Sequence, residues 1–300
     1  MKNINNILIV LSFIGLWITS MFSGQIEILL GFILIFSFGI LHGSNDILLI
    51  NSVSNSKIKY PFFKVIATYL SIVIIAALLF YLIPIAALSF FIIFSGFHFG
   101  EQHWEYRNLK LSRGLSQSFY FVYGLLVLQI LFLLNLDDVI LIVNSITSYS
   151  LPKIFIAYSL ICNVFVIIVL SFYMFFKSKA FKKIILIEIF YLLIFTIVFK
   201  VSTLIWGFTI YFILWHSIPS LIEQVIFIYG ELSKKNVWNY CKKAFPYWII
   251  SLIGIAIIYF VFNDEKMFNA LFFSFIAAVT FPHALVINKM FVNKKTQLNS

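Results

Sequence analysis

The sequence predicts an all-α polytopic integral membrane protein with about ten transmembrane helices. Of its 300 residues, 62% are hydrophobic and only 11% are charged, whereas a soluble domain carries about 25% charged residues. Apolar runs of roughly 18 residues or more, long enough to cross a bilayer as a helix, recur from end to end. Backbone polar groups in lipid must be satisfied within their own segment, and at these lengths only helices achieve this.

Ten spans are predicted in chain order, and each is an apolar run bounded by polar, glycine or proline residues. They cover residues 6–23, 26–50, 62–82, 84–103, 115–134, 153–176, 183–199, 204–229, 244–262 and 267–289. The connections are short, and the sequence shows no linker, soluble domain or convincing repeat. We therefore expect a single membrane domain over residues 1–300. The stretch 135–152 is expected to be re-entrant or interfacial.

The basic residues predict the orientation of these spans. Of 21 Lys and Arg residues, all but Lys153, Lys200 and Lys266 fall on one side of the predicted topology. The residues on the majority side are Lys2, Lys57, Lys59, Lys64, Arg107, Lys110, Arg113, Lys177, Lys179, Lys182, Lys183, Lys234, Lys235, Lys242, Lys243, Lys289, Lys294 and Lys295. By the positive-inside rule both termini are cytoplasmic and the protein lies in the cytoplasmic (inner) membrane. The net charge of +10 thus reflects topology and does not indicate a nucleic-acid partner.

Four of the five histidines fall inside predicted spans, where ionisable residues are costly and usually functional. They are His42, His98, His216 and His283, in the second, fourth, eighth and tenth spans. All four spans run in the same direction, so the position of each histidine within its span gives its depth in the membrane. At 1.5 Å per residue the histidines differ in depth by on the order of 6 Å, which permits one cluster in the cytoplasmic half of the membrane.

Neutral imidazole is a good ligand for iron, copper, zinc and nickel, and a metal satisfies a lone pair that is costly to bury. A lone intramembrane histidine, by contrast, commonly forms a hydrogen bond between helices. Four histidines at similar depth leave both interpretations open from spacing alone.

Carboxylates near the histidines are candidates for orienting the rings. Asp46 lies four residues after His42, on the same face of a continuous helix, and so could accept the second ring N–H. Glu101 and Glu223 stand in the same relation to His98 and His216, at three and seven residues. Alternatively, each of the three carboxylates lies at a solvated helix end or extends to the headgroups.

The fifth histidine and two prolines complete the pattern. His103 lies about 140° around the helix from His98 and is expected at the membrane interface, beside Trp104 in an aromatic belt. Pro219 and Pro282 each remove one helical hydrogen bond close to a histidine. We expect these prolines to distort the helices and open room for a metal or a long substrate.

Four segments in order, "LHGSND", "FHFGEQHW", "LWHSIPS" and "FPHALV", make the chain resemble the Brp/Blh family of bacterial membrane β-carotene 15,15′-dioxygenases. The resemblance extends from about residue 40 to 287. It implies an oxidoreductase that cleaves the central double bond of β-carotene with O2 into two molecules of retinal, at a non-haem Fe(II) held by histidines. The retinal would then pass to a microbial rhodopsin.

By position, the resemblance implies that His42, His98 and His216 are metal ligands. Many family members carry a further ligand histidine four residues after the tryptophan-histidine-serine motif, where this chain has Ser220. Either His283 completes the site, the iron has three protein ligands, or the chain is a divergent member. We favour His283, because its predicted depth matches that of the other three.

Two other functions remain open from the sequence. Intramembrane His and Glu side chains with helix-breaking prolines also suit a transporter with a proton relay. A membrane protein with a haem held by two histidines is the second alternative.

Overall fold

The computed structural model describes residues 2–53, 62–107, 109–261 and 265–299, in which all regular secondary structure is helical. The helices are α1 (Lys2–Thr19), α2 (Gly24–Leu34), α3 (Asp46–Val53), α4 (Phe62–Leu82), α5 (Pro84–Trp104), α6 (Arg113–Leu134), α7 (Leu136–Thr147), α8 (Lys153–Lys177), α9 (Lys179–Val201), α10 (Leu204–Ile210), α11 (Ile218–Tyr229), α12 (Lys234–Val261) and α13 (Glu265–Asn299). Two further stretches, Ile35–Gly39 and Tyr211–Ser217, are π-helical, and Glu105–Arg107 forms a 3₁₀ turn. The all-α class is confirmed.

Six helical segments in the described part of the chain are long and apolar enough to cross a membrane. They are Pro84–Arg107, Arg113–Leu134, Lys153–Lys177, Lys179–Val201, Leu204–Tyr229 and Phe275–Asn293. Shorter apolar helices cover Ile4–Thr19, Gly24–Gly39 and Leu70–Leu82. The protein is therefore a polytopic all-α membrane protein, whereas the ten spans and the cytoplasmic termini stay predictions. Lys57 and Lys59, on which the predicted topology draws, lie outside the described residues.

The second predicted span is not one continuous helix. α2 passes at Ile35 into a π-helical stretch, and residues 42–45 form a turn before α3 begins at Asp46. Within the turn the Gly43 amide donates to the Ile40 carbonyl at 3.1 Å, and the Ser44 hydroxyl donates to the same carbonyl at 2.8 Å. Glycine, serine and asparagine are weak helix formers. Glycine loses more backbone entropy than other residues when a helix forms, and the side chains of serine and asparagine compete for backbone hydrogen bonds.

Residues 136–147 of the predicted interfacial stretch form helix α7. With 12 residues it is shorter than the roughly 20 needed to cross a bilayer. At its start Asp137 pairs with Lys153 at 2.7 Å, with both side chains largely exposed. Its position relative to the membrane surface stays a prediction.

The chain folds as two compact units. The first unit comprises Met1–Ile35, Ser95–Asn144 and Ser150–Ser217, and the second comprises Phe36–Phe94, Ser145–Tyr149 and Ile218–Ser300. In the first unit α6 packs against α8 and α9, while α10 packs against α2 and α9. In the second unit α13 packs against α3, α4 and α12.

Polar side chains join neighbouring helices inside the first unit. Asn163 on α8 donates through its side-chain amide to Gln129 at 2.8 Å and to the Val122 carbonyl at 3.0 Å, both on α6. The Trp215 indole N–H donates to the Ser12 hydroxyl at 3.0 Å. Each bond satisfies a buried group that hydrocarbon could not satisfy.

A glycine seam, formed by Gly96, Gly100 and Gly124, brings α5 and α6 into close contact in the first unit. A Cβ on Gly100 would overlap the Tyr120 carbonyl oxygen, and a Cβ on Gly124 would overlap the Gly96 carbonyl oxygen. Small residues four apart allow such backbone approach in membrane helices. Since His98 lies between Gly96 and Gly100, the seam fixes the part of α5 that carries this histidine.

Among the described residues of the second unit, two apolar clusters contribute to the core. The first joins Leu49 of α3 to four residues of α13: Val286, Ile287, Met290 and Phe291. The second joins Phe80, Ala87 and Ala277, from α4, α5 and α13. Both clusters include residues of α13, which also carries His283.

Gly124→Ala is expected to lower the free energy of unfolding by more than about 3 kcal/mol, the upper end of ordinary overpacking, because the added methyl overlaps backbone on α5. The measurement is thermal unfolding in detergent micelles. Gly114→Ala on the same helix is the matched control, since a Cβ there meets no atom within 4 Å. Equal stability of the two variants would contradict the close α5–α6 contact.

Candidate functional site

The four histidines of the predicted spans occur as two pairs, one in each unit. In the first unit the rings of His98 and His216 lie 4.8 Å apart, edge to face. In the second unit the rings of His42 and His283 also lie 4.8 Å apart, edge to face. None of the four side chains is more than 4% exposed. Each unit thus brings together two imidazoles that are distant in sequence.

Aromatic side chains surround the His216 ring in the first unit. Phe212 stacks on it at a centroid distance of 5.4 Å, and Phe99 contacts it edge to face at 4.7 Å. Phe208 stacks on Phe212 at 5.2 Å, which extends the row by one ring. This apolar surrounding limits access of water to the pair.

His216 lies in the π-helical stretch Tyr211–Ser217, which ends two residues before Pro219. The predicted helix distortion beside this histidine is therefore confirmed. π-helical stretches are rare and often occur at functional sites. The other proline, Pro282, lies inside α13, which continues through it as a helix.

In the second unit Asp46 fixes the His283 ring. The Nδ1 atom of His283 lies 2.7 Å from Oδ1 of Asp46, and both side chains are buried. For a neutral imidazole, donation from Nδ1–H to the carboxylate leaves the lone pair on Nε2, the arrangement typical of metal-bound histidines.

The prediction that Asp46 orients His42 was based on a continuous helix through both residues. The turn at residues 42–45 removes that geometry, and the Asp46 carboxylate bonds the ring of His283, while its role toward His42 stays a prediction. The other two predicted carboxylates, Glu101 and Glu223, are 4% and 5% exposed, so neither lies at a solvated helix end. Their predicted role in orienting His98 and His216 stays a prediction.

The backbone of His42 is held by residues that sequence reasoning missed. The Gln224 side-chain amide and the Tyr240 hydroxyl both donate to the His42 carbonyl oxygen, at 3.1 and 2.9 Å. A buried glutamine in an apolar span is a signal that could have indicated Gln224. Tyr240 precedes the ninth predicted span and gave no such signal.

His103 does not lie in an exposed aromatic belt, and its predicted depth at the membrane interface stays a prediction. It is only 6% exposed and lies inside the first unit, with its ring stacked on Tyr123 at 4.9 Å. Its Nε2 atom lies 2.6 Å from Oε2 of Glu188, and Arg107 pairs with the other oxygen of that carboxylate. Glu188, in the seventh predicted span, was overlooked, although a lone carboxylate in an apolar span is costly without a partner.

The donor chemistry of the four paired histidines fits a divalent transition metal. Buried neutral imidazoles suit iron, copper, zinc and nickel, and the contact with Asp46 prepares Nε2 of His283 as a donor atom. Among the described residues no group of three or more His, Cys, Asp or Glu side chains is arranged to hold a metal ion. The residue types in each pair therefore suit a metal ion, but the described residues do not form a complete coordination sphere.

Glu188→Gln is expected to lower the free energy of unfolding by about 3–5 kcal/mol, because it leaves Arg107 without its counter-charge in a buried site. Thermal unfolding in detergent micelles measures this change. The matched control is Asp137→Asn, which breaks an ion pair whose side chains are 81% and 66% exposed and should change stability little. A similar small effect of both substitutions would contradict the buried network.

Comparison with known proteins adds one family match. Residues 33–291 match the model of a family described as beta-carotene 15,15'-dioxygenase. The matched stretch includes both histidine pairs. No curated protein and no solved structure matches the chain.

Proposed function

The chain belongs to the β-carotene 15,15′-dioxygenase family, since the match covers well over half of its 300 residues, and we propose that it cleaves the central double bond of β-carotene. In this reaction one O2 molecule is consumed, the 15,15′ double bond breaks, and each of the two retinal products carries one oxygen atom in its new aldehyde. The observation that carries the proposal is the pair of buried histidines in each unit, within the matched stretch.

The four paired histidines, His42, His98, His216 and His283, are the proposed ligands of Fe(II). Bound iron supplies a redox-active centre with open coordination positions for O2. The side chains contribute neutral nitrogen donors, and the carboxylate of Asp46 holds the His283 ring in the tautomer that a ligand requires.

His283 takes the place of the family histidine that this chain lacks at Ser220. Three features of His283 support this assignment. It is 3% exposed and its ring lies 4.8 Å from that of His42, while Asp46 fixes its orientation. Ser220 is fully buried, and its hydroxyl accepts a hydrogen bond from Gln224 at 3.1 Å, so it has a different role in this chain.

The substrate is an apolar polyene that dissolves in the bilayer, so an intramembrane site needs no aqueous channel. The aromatic rings of Phe99, Phe208 and Phe212 beside His216 offer apolar contacts to such a chain. They also keep water away from reactive species during cleavage. Retinal would leave into the cell membrane, where a microbial rhodopsin can take it up.

The proposal predicts that a bacterial host engineered to accumulate β-carotene loses its yellow colour and forms retinal when it expresses this protein under air. His216→Ala should abolish retinal formation, because it removes a proposed ligand. Pigment extraction and chromatography give the readout, at matched amounts of folded protein. Intact β-carotene in cells with folded, iron-supplied wild-type protein would contradict the activity, and a haem absorption band on purification would favour the haem alternative.

Iron content separates the four proposed ligands from the fifth histidine. We expect less than about a tenth of the wild-type iron content in each alanine variant of His42, His98, His216 and His283. Changing a residue that only supports a ligand already lowers metal affinity about 10- to 100-fold, and losing a ligand should cost at least as much. His103→Gln should retain iron in its folded fraction, because His103 bonds Glu188 rather than the metal. Elemental analysis of purified protein measures both results. Full iron occupancy in His283→Ala would exclude His283 as a ligand.

A further inference from the structure

The carbonyl oxygen of His42 accepts hydrogen bonds from two side chains of the second unit. Tyr240 on α12 donates through its hydroxyl at 2.9 Å, and Gln224 on α11 donates through its side-chain amide at 3.1 Å. Both donors are fully buried, at 0% exposure. Two helices therefore hold one backbone oxygen of a proposed iron ligand.

The donors also bond each other and two further residues. The Tyr240 hydroxyl lies 2.8 Å from Oε1 of Gln224, so its single proton is shared between this oxygen and the His42 carbonyl. The second N–H of Gln224 reaches the Ser220 hydroxyl at 3.1 Å. Asn45, in the same turn as His42, donates to the Tyr240 carbonyl at 2.8 Å. The contacts thus form a closed network around the turn.

His42 needs this support because residues 42–45 leave the helical path. A helix satisfies its own backbone groups, whereas a turn at membrane depth is tolerated only where other parts of the protein satisfy it. A ligand in a turn also lacks the rigidity that a helix gives to its side chains. The direction of the His42 ring therefore depends on bonds from outside the turn.

We propose that Tyr240 and Gln224 are positioning residues, which fix the His42 turn so that its imidazole presents a nitrogen to the metal. The inference rests on the proposed function, in which His42 is an iron ligand. It also assigns a role to Ser220: at the position where family members carry a ligand histidine, this chain has a hydroxyl that anchors Gln224.

The test compares Tyr240→Phe with Tyr229→Phe in purified, metal-free protein titrated with Co(II). Both substitutions remove one buried hydroxyl from the second unit and keep the ring. The Tyr229 hydroxyl has no hydrogen-bond partner among the described residues. The visible absorption of bound Co(II) reports the geometry of the site, and a chelator competition gives its affinity.

Tyr240→Phe should weaken Co(II) binding about 10- to 100-fold, as is usual when a group that orients a ligand is lost, and should alter the visible spectrum. Tyr229→Phe should match the wild type. Gln224→Met removes the other donor and serves as a second variant should Tyr240→Phe not fold. The double variant should lose less than the two single losses combined, because both donors hold the same carbonyl.

Wild-type affinity and spectrum in Tyr240→Phe and Gln224→Met would overturn the positioning role while leaving the metal site intact. Failure of the wild-type protein itself to bind Co(II) or Fe(II) would instead overturn the proposed ligand set, and with it the positioning role. The two failures are therefore distinguishable in one titration series.

Discussion

A buried polar group in this protein can obtain hydrogen bonds only from another part of the protein, because hydrocarbon offers none. This constraint connects elements that are distant in sequence. Asp46 and His283 meet across 237 residues, and His103 and Glu188 across 85. Because each such bond fixes the position of two elements at once, the arrangement that satisfies the polar groups also orients the histidines.

The same constraint explains how much of the fold the sequence predicts. Helices are the only segments that satisfy themselves in lipid, so composition and run length suffice for the all-α class. The turn at residues 42–45 is missed because hydropathy averaged over an apolar run conceals three weak helix formers, Gly43, Ser44 and Asn45. The positive-inside topology rests in part on residues outside the described ranges and stays a prediction.

For the candidate site, the sequence identifies the four histidines through their cost in the membrane and through their family motifs. It does not identify their partners. The spacing of four residues pairs Asp46 with His42 on one helical face. This rule applies only within one continuous helix, and the turn at residues 42–45 interrupts the helix. Likewise Glu188 and Tyr240 are joined to their partners by tertiary contacts that no local pattern contains. The burial of His103 likewise depends on its contact with Glu188, which no local pattern predicts.

The most direct test of the account is the ratio of retinal formed to β-carotene consumed by the purified, Fe(II)-loaded protein in detergent micelles under air. Central cleavage at bound iron should give two molecules of retinal for each molecule of β-carotene, and the metal-free protein should show no turnover until Fe(II) is restored. Unequal aldehyde fragments would contradict central cleavage. Undiminished turnover by the metal-free protein would contradict the assignment of the paired histidines to iron.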